Sequence, residues 1–221
     1  MKKLFGVVLG FALVLILGVA TASADSIAFN IGVPNDVLSA FTGPYASVTV
    51  NQLTSTTASL VFTSLTTNGT TFLMSGGGTA AAFNVNGTFS VGTITPTFLS
   101  GFGPATFNNG GAVNNVSAFG GFNGSLNGPA GYTNAANSLT IGLTATGGTT
   151  WANALSVLTP NAAGFTTAIH GFACTAPCQA NAGALATGFA GNGSSVPEPA
   201  SLLLLGTGLA GIGLWRRRNQ N

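Results

Sequence analysis

Apolar and hydroxyl-bearing side chains alternate along Leu139-Thr140-Ile141-Gly142-Leu143-Thr144-Ala145. The same period of two recurs, wholly or in part, over residues 46–50, 58–63, 83–85 and 89–91. Successive side chains of a β-strand point to opposite faces of its sheet, so this period is typical of strands that are buried on one face. We therefore predict half-buried strands at these positions, with their hydroxyl groups directed outward.

Asparagine-glycine pairs separate the predicted strands. Both residue types tolerate the positive φ angles that two-residue hairpin turns need. The pairs are Asn68-Gly69, Asn86-Gly87, Asn109-Gly110, Asn123-Gly124 and Asn127-Gly128. Residues 150–158 are the only predicted helical turn of the domain, which ends before Pro160. Short strands and turns at this spacing predict an all-β fold, a β-sandwich or jelly-roll-like domain over residues 25–190.

Charged side chains are almost absent from this central segment. From Asp25 to Ser195 the sequence contains two aspartates, Asp25 and Asp36, one histidine, His170, and no lysine or arginine. Nucleic-acid binding needs cations that neutralise phosphates, so we expect no nucleic-acid partner. A nearly uncharged surface also lacks the repulsion that keeps proteins apart. Self-association, glycan coating or contact with polysaccharide would each fit such a surface.

Catalytic side chains are scarce for the same reason. A serine hydrolase would need His170 as base, Asp25 or Asp36 to orient it, and a serine as nucleophile. The Gly-x-Ser-x-Gly motif does not occur in the sequence. A single histidine in a β-rich domain is more often a packed structural residue. We therefore expect no catalytic residues, no cofactor and no enzymatic activity. A hydrolase is kept as a further hypothesis, behind the two given at the end of this section.

The two cysteines lie close to the histidine in the sequence. His170, Cys174 and Cys178 are spaced by four residues each, and three such ligands could hold zinc with an open fourth position. In an exported chain, however, thiols tend to oxidise, and Thr175-Ala176-Pro177 leaves room for one tight disulfide loop. The spacing favours a Cys174–Cys178 disulfide and no metal site, with metal binding as the alternative.

The beginning of the chain has the three parts of a secretory signal peptide. Lys2-Lys3 is followed by an apolar stretch from Leu4 to Val19 and then by Ala22-Ser23-Ala24. This order predicts a signal peptide over residues 1–24, forming an N-terminal helix, and cleavage between Ala24 and Asp25.

The end of the chain contains a second membrane signal. Residues 191–196 are rich in glycine and serine, which predicts a flexible linker. A helix from Ala200 to Trp215 would be about 24 Å long and could span a thin bilayer as a transmembrane helix. Arg216, Arg217 and Arg218 then act as the stop-transfer group and hold the C-terminus in the cytoplasm.

The tripeptide Pro197-Glu198-Pro199 directly precedes this apolar segment and its arginine cluster. The arrangement over residues 197–218 resembles the PEP-CTERM sorting signal of Gram-negative bacteria that make extracellular polysaccharide. The resemblance implies that an exosortase-like membrane transpeptidase cleaves near the motif and passes the protein to the cell surface. Phrases such as Ala80–Asn86, Phe119–Asn123 and Trp151–Leu158 are similar to a recurrent Gly/Asn/Thr-rich extracellular module of PEP-CTERM proteins, which implies no particular activity.

Together these features predict a structural protein of the cell surface or extracellular matrix, associated with exopolysaccharide or biofilm. Its expected partners are signal peptidase and the secretion machinery, the exosortase-like enzyme, the membrane before processing, and exopolysaccharide as a candidate ligand. The alternative is a carbohydrate-binding module, in which Trp151, Tyr45 and Tyr132 would stack on sugar rings and asparagine side chains would form hydrogen bonds to them.

Overall fold

The computed structural model describes residues 25–192, and this part of the chain is all-β, as predicted. Its strands are β1 (Asp25–Ile31), β2 (Val33–Pro34), β3 (Ala46–Gln52), β4 (Thr57–Ser64), β5 (Thr66–Thr67), β6 (Thr70–Met74), β7 (Gly78–Phe83), β8 (Phe89–Thr97), β9 (Asn108–Asn109), β10 (Gly124–Gly128), β11 (Ser138–Ala145), β12 (Thr167–Thr175) and β13 (Ala186–Gly191). Within these residues no helix is long and apolar enough to span a bilayer. The predicted signal-peptide and transmembrane helices lie outside the described range.

The first sheet has five antiparallel strands in the order β1-β3-β4-β11-β8. The alternating segment quoted first forms β11, which lies between β4 and β8 and pairs with both. Its register places Leu139 opposite Phe62 and Ile141 opposite Leu60, and all four side chains are buried on one face. Hydroxyl groups occupy the other, half-buried face. The predicted pattern of apolar residues inside and hydroxyls outside is confirmed for this sheet.

The second sheet has the order β2-β13-β12-β7-β10-β9. Strand β12 is its centre, since it pairs with β13 on one side and with both β7 and β6 on the other. Strand β5 joins this sheet through β6. All these pairings are antiparallel. Paired strands are therefore joined either by hairpin turns or by longer connections that cross from one sheet to the other.

The core lies between the inner faces of the two sheets. Val48, Leu60 and Ile141 of the first sheet belong to the same buried cluster as Phe83 and Ile169 of the second. Each is at most 1 % exposed. Complete burial of one such side chain stabilises a fold by about 1.5–3 kcal/mol. This continuous apolar layer gives the sandwich-like arrangement.

Two smaller clusters cover the outer face of the second sheet. The disulfide cluster consists of Leu73, Phe102, Tyr132, Ala135, Cys174 and Cys178. The phenylalanine cluster consists of Ala82, Val116, Phe119, Phe122 and Ala168. Both clusters combine strand residues with residues from the long connections between β8 and β11. The second sheet is therefore covered on both faces, whereas the first is covered on one.

Only one of the five Asn-Gly pairs forms a hairpin turn. Asn68 and Gly69 have φ angles of 50° and 77° and connect β5 to β6. Gly124 and Gly128 instead lie within β10, and a Cβ atom there would overlap the rings of Phe83 and Phe107, respectively. The prediction of turns at these two pairs was wrong, because each glycine leaves room for an aromatic ring.

Three further expectations need correction. Residues 150–158 contain only a short 3-10 turn, Ala154–Ser156, and similar turns occur at Asp36–Ala40, Ser117–Phe119, Tyr132–Asn134 and Ala180–Ala182. A strand was predicted at residues 83–85, but only Phe83 lies in a strand, as the last residue of β7.

The flexible linker was predicted to begin at Gly191, but Gly191 is the last residue of β13. Asn192 is 3 % exposed, and its side-chain oxygen accepts hydrogen bonds from the backbone N–H groups of Thr166 and Thr167.

Candidate functional site

His170 lies in β12, between the two clusters on the outer face of the second sheet. Its Nε2 atom is 2.9 Å from the hydroxyl oxygen of Thr187 on the neighbouring strand β13. The imidazole stacks on the ring of Phe189, with 4.5 Å between ring centroids. A Cβ atom at position 76 would overlap its Nδ1 atom, so only glycine fits there. These contacts make His170 a packed side chain that joins β12, β13 and the loop after β6.

Burial lowers the pKa of His170 below its ordinary value of 6.5, and a hydrogen bond to the backbone of Ser75 opposes this shift. The unfolded chain therefore binds a proton at a higher pH than the folded domain does. Unfolding becomes more favourable as pH falls through about 6.5, until the folded state is protonated as well.

We expect the melting temperature of the mature protein to be constant above about pH 7 and to fall as the pH drops below about 6.5. A His170→Gln variant should lose most of this decrease, because glutamine does not titrate. Circular dichroism melting curves at several pH values measure the slope of melting temperature against pH for both proteins. Equal slopes for the two proteins would show that His170 is not the group responsible.

The hydrolase hypothesis requires an aspartate beside His170. The partner of His170 on β13 is Thr187, and the Asp25 carboxylate accepts a hydrogen bond of 2.9 Å from the backbone N–H of Ala154. Asp36 begins the 3-10 turn Asp36–Ala40. The described contacts therefore give His170 and Asp25 partners other than each other.

The two cysteines are joined in a disulfide between Cys174 and Cys178, with 5.5 Å between their Cα atoms. Cys174 ends the buried part of β12, and both sulfur atoms belong to the disulfide cluster. In residues 25–192, no three His, Cys, Asp or Glu side chains lie close enough together to bind a metal ion. The zinc alternative loses its thiolate ligands in this arrangement.

The disulfide loop separates two open pockets. A pocket of about 360 Å³ has Tyr132, Thr175, Gln179 and Leu185 among its lining residues. A second pocket of about 430 Å³ is lined by Ser64, Thr66, Thr71, Leu99, Ser100, Asn137, Ala176, Pro177 and Cys178. Ala176 and Pro177 line both pockets and form a ridge between them. Neither lining contains a charged side chain.

Two buried hydroxyl groups in the walls of these pockets lack a hydrogen-bond partner among the described residues. They are the Tyr132 phenol oxygen and the Ser64 Oγ atom. The Tyr132 ring is held edge-on against Phe102, with 5.0 Å between centroids. Burial also raises the pKa of the Tyr132 hydroxyl, so it stays protonated and can donate a hydrogen bond.

The three aromatic residues expected to stack on sugars are buried. Trp151 and Tyr45 are each 1 % exposed, and Tyr132 is 9 % exposed. The indole N–H of Trp151 donates to the carbonyl of Asn86, and the Tyr45 hydroxyl donates to the carbonyl of Phe41. Their role as stacking platforms was wrong, because a domain this rich in glycine and alanine uses its large rings to fill the core.

Ser64 was missed by sequence reasoning, as was the contribution of Asn137 to the same pocket. Ser64 is the last residue of β4, and its backbone N–H donates to the carbonyl of Asn137 at a distance of 2.8 Å. Pairing between β4 and β11 creates this proximity. The available sequence signal was the alternation of both strands, which predicts a pairing but not which strand neighbours which.

The two ends of the described domain lie at one apolar groove. Ile27 and Phe29 of β1 line this groove of about 250 Å³ together with Leu155, Leu158 and Asn192. Asp25 is the residue after the predicted signal cleavage site, and Asn192 is followed by the segment that leads to Pro197-Glu198-Pro199. The sorting motif, Ala24 and the arginine cluster Arg216-Arg217-Arg218 themselves lie outside the described residues.

The fold and these pockets define a class: an almost uncharged β-sandwich domain with a disulfide-held loop. Residues 195–218 match the model of the PEP-CTERM protein-sorting motif. The chain therefore carries a PEP-CTERM sorting signal, which indicates an exported protein that is processed by an exosortase. No curated protein and no solved structure matches it.

Proposed function

We propose that this chain is a non-enzymatic structural protein of the cell surface or extracellular matrix that associates with exopolysaccharide in a biofilm. The observation that carries the proposal is the poverty of charge in residues 25–192, which contain two aspartates and no lysine or arginine. A surface of hydroxyl, amide and apolar groups is compatible with hydrated neutral polysaccharide, since neither partner has to lose the hydration of a charge.

Delivery would proceed through both terminal signals. The secretion machinery exports the chain, signal peptidase cleaves between Ala24 and Asp25, and the segment from Ala200 to Trp215 anchors the precursor in the inner membrane. Arg216, Arg217 and Arg218 retain the short tail in the cytoplasm. The exosortase then cleaves near Pro197-Glu198-Pro199 and releases the domain from its anchor.

The absence of enzymatic activity is part of the proposal. The contacts of His170 with Thr187 and Phe189 and the contact of Asp25 with Ala154 support it, because each side chain already has a structural role. A hydrolase remains the competing hypothesis. It would be supported if His170→Ala abolished a measured turnover while the domain stayed folded.

Fractionation of the producing cells tests the proposal. We expect the processed protein in the matrix fraction of wild-type cells, and in the culture medium of cells that cannot make exopolysaccharide. The precursor should be found in neither fraction. Recovery of the full-length chain in the cytoplasm, with Lys2 still present, would contradict export. An unchanged surface-bound fraction without exopolysaccharide would contradict the association with polysaccharide.

The second candidate function, a carbohydrate-binding module, is supported by the two pockets beside the disulfide loop. This candidate differs from a passive structural role because it requires a defined site.

A further inference from the structure

We propose that the ridge of Ala176 and Pro177, with the pocket on each side, binds two neighbouring units of a neutral polysaccharide chain. This inference rests on the proposed association with exopolysaccharide, and it names the site and the ligand class. We call the pocket lined by Tyr132 the tyrosine pocket and the pocket lined by Ser64 the serine pocket.

The size of the pockets suits sugar units. Volumes of about 360 and about 430 Å³ lie within the range of small-molecule sites in proteins. Because Ala176 and Pro177 line both pockets, a ligand that crosses the ridge would place adjacent parts in both. A polymer with repeating units has this property, whereas a single small molecule would occupy one pocket.

The ridge is held in place before any ligand binds. The disulfide closes the loop between Cys174 and Cys178, and the backbone N–H of Ala176 donates to the carbonyl of Gly69 at 2.8 Å. The Cys174 sulfur also lies 3.3 Å from the carbonyl oxygen of Thr71, on the paired strand β6. A preformed site loses little conformational entropy on binding, which favours a ligand that offers only weak individual contacts.

The orphaned hydroxyl groups indicate the polarity of the ligand. Buried polar groups in proteins almost always have a partner, and an unsatisfied one costs about 1–3 kcal/mol. Tyr132 lines the tyrosine pocket and Ser64 lines the serine pocket, and the hydroxyl oxygen of each is buried without a partner in the described residues. Rotation of either side chain toward its pocket would let a ligand rich in hydroxyl groups supply the missing donor or acceptor.

The lining excludes a charged ligand. No lysine, arginine, aspartate or glutamate lines either pocket, and the described domain contains no cation that could pair with a uronic acid or a phosphate. Thr175 and Gln179 offer hydrogen bonds in the tyrosine pocket, while Pro177 and Leu185 offer apolar surface. Neutral sugars present hydroxyl groups together with apolar C–H faces, which match this lining.

The test is calorimetric titration of the mature, surface-released protein with neutral hexasaccharides of glucose, galactose, mannose and N-acetylglucosamine, and with hexagalacturonic acid. We expect at least one neutral hexasaccharide to bind and the acidic one not to bind. Tyr132→Phe and Ser64→Ala should each weaken binding about three- to tenfold, because each removes one hydrogen bond to the ligand.

Thr167→Val is the matched control. Thr167 has the third buried hydroxyl without a partner in the described residues, but it lines neither pocket. Its substitution should leave binding unchanged. All three variants should remain folded, because removal of an unsatisfied buried hydroxyl costs the folded state little or stabilises it. Melting curves verify this.

The possible results separate the site from the function on which it rests. If wild type binds a neutral hexasaccharide and Tyr132→Phe and Ser64→Ala bind equally well, the association with polysaccharide stands and this site is wrong. If no neutral hexasaccharide binds, or only hexagalacturonic acid binds, the assignment to a neutral polysaccharide is overturned together with the site.

Discussion

Replacement of Pro197, Glu198 and Pro199 by alanine is expected to abolish C-terminal processing, so that the full precursor accumulates in the inner membrane. These residues lie within the matched sorting motif, residues 195–218. Three alanines would remove the side chains that give this part of the motif its character. We expect the released fraction to fall by at least about tenfold, which corresponds to about 1.4 kcal/mol or more of lost recognition.

Ser194→Ala is the control for this experiment, since residue 194 directly precedes the matched motif. It should leave processing unchanged. Immunoblots of membrane and surface fractions distinguish precursor from product by size. Normal release of the triple-alanine variant would show that the tripeptide is not the processing signal.

Trp151→Ala is expected to destabilise the domain by about 3–5 kcal/mol, a large part of the total stability of an ordinary domain. Trp151 is 1 % exposed and belongs to the core between the sheets. Its indole N–H donates to the carbonyl of Asn86, and its backbone carbonyl accepts from the side chain of Gln52. Alanine would leave a large cavity and would deprive the Asn86 carbonyl of its donor.

Leu155→Ala provides a matched control in the adjacent 3-10 turn, because Leu155 is 58 % exposed. Its effect should stay within about 0.5 kcal/mol. Urea unfolding measures the stability of both variants. It is monitored by circular dichroism, because this signal does not depend on the tryptophan that is replaced. If Trp151→Ala kept wild-type stability and lost only sugar binding, the tryptophan would be a stacking platform after all, and the packing described for it would be wrong.

The strands that could be predicted from sequence belong mainly to the first sheet. Strands β3, β4, β8 and β11 have one inner face and one more open face, so their sequences alternate. Strands β6 and β12 are buried on both faces by the core and the outer clusters, and their sequences lack this period. A short apolar run without alternation does not distinguish a strand from another buried segment. The second sheet was therefore largely missed.

The only part of the candidate site that could be predicted is the disulfide, whose two residues are close together in the sequence. The disulfide joins two cysteines four residues apart, and the spacing together with predicted export was enough to indicate it. The pockets, by contrast, combine Ser64 with Asn137 and Tyr132 with Leu185, residues that are brought together by strand pairing and by the connection before β11. No local pattern encodes such contacts.

The exposed leucines show the same limitation. Leu53, Leu155 and Leu185 are each more than half exposed, while Tyr45 and Trp151 are buried. The carbohydrate-binding alternative required Tyr45 and Trp151 to lie at the surface. In a chain with 33 glycines, however, small side chains leave space that only large rings fill.

We propose that two terminal signals deliver a disulfide-containing β-domain to the cell surface. Intact-mass spectrometry of the protein recovered from the surface tests it most directly, because one mass reports both termini and the oxidation state of the cysteines. We expect a chain that begins at Asp25, ends near Pro197-Glu198-Pro199 without Arg216-Arg217-Arg218, and lacks the two hydrogens that the Cys174–Cys178 disulfide removes. A surface protein that retains residues 1–24 or the arginine cluster, or that carries two free thiols, would contradict it.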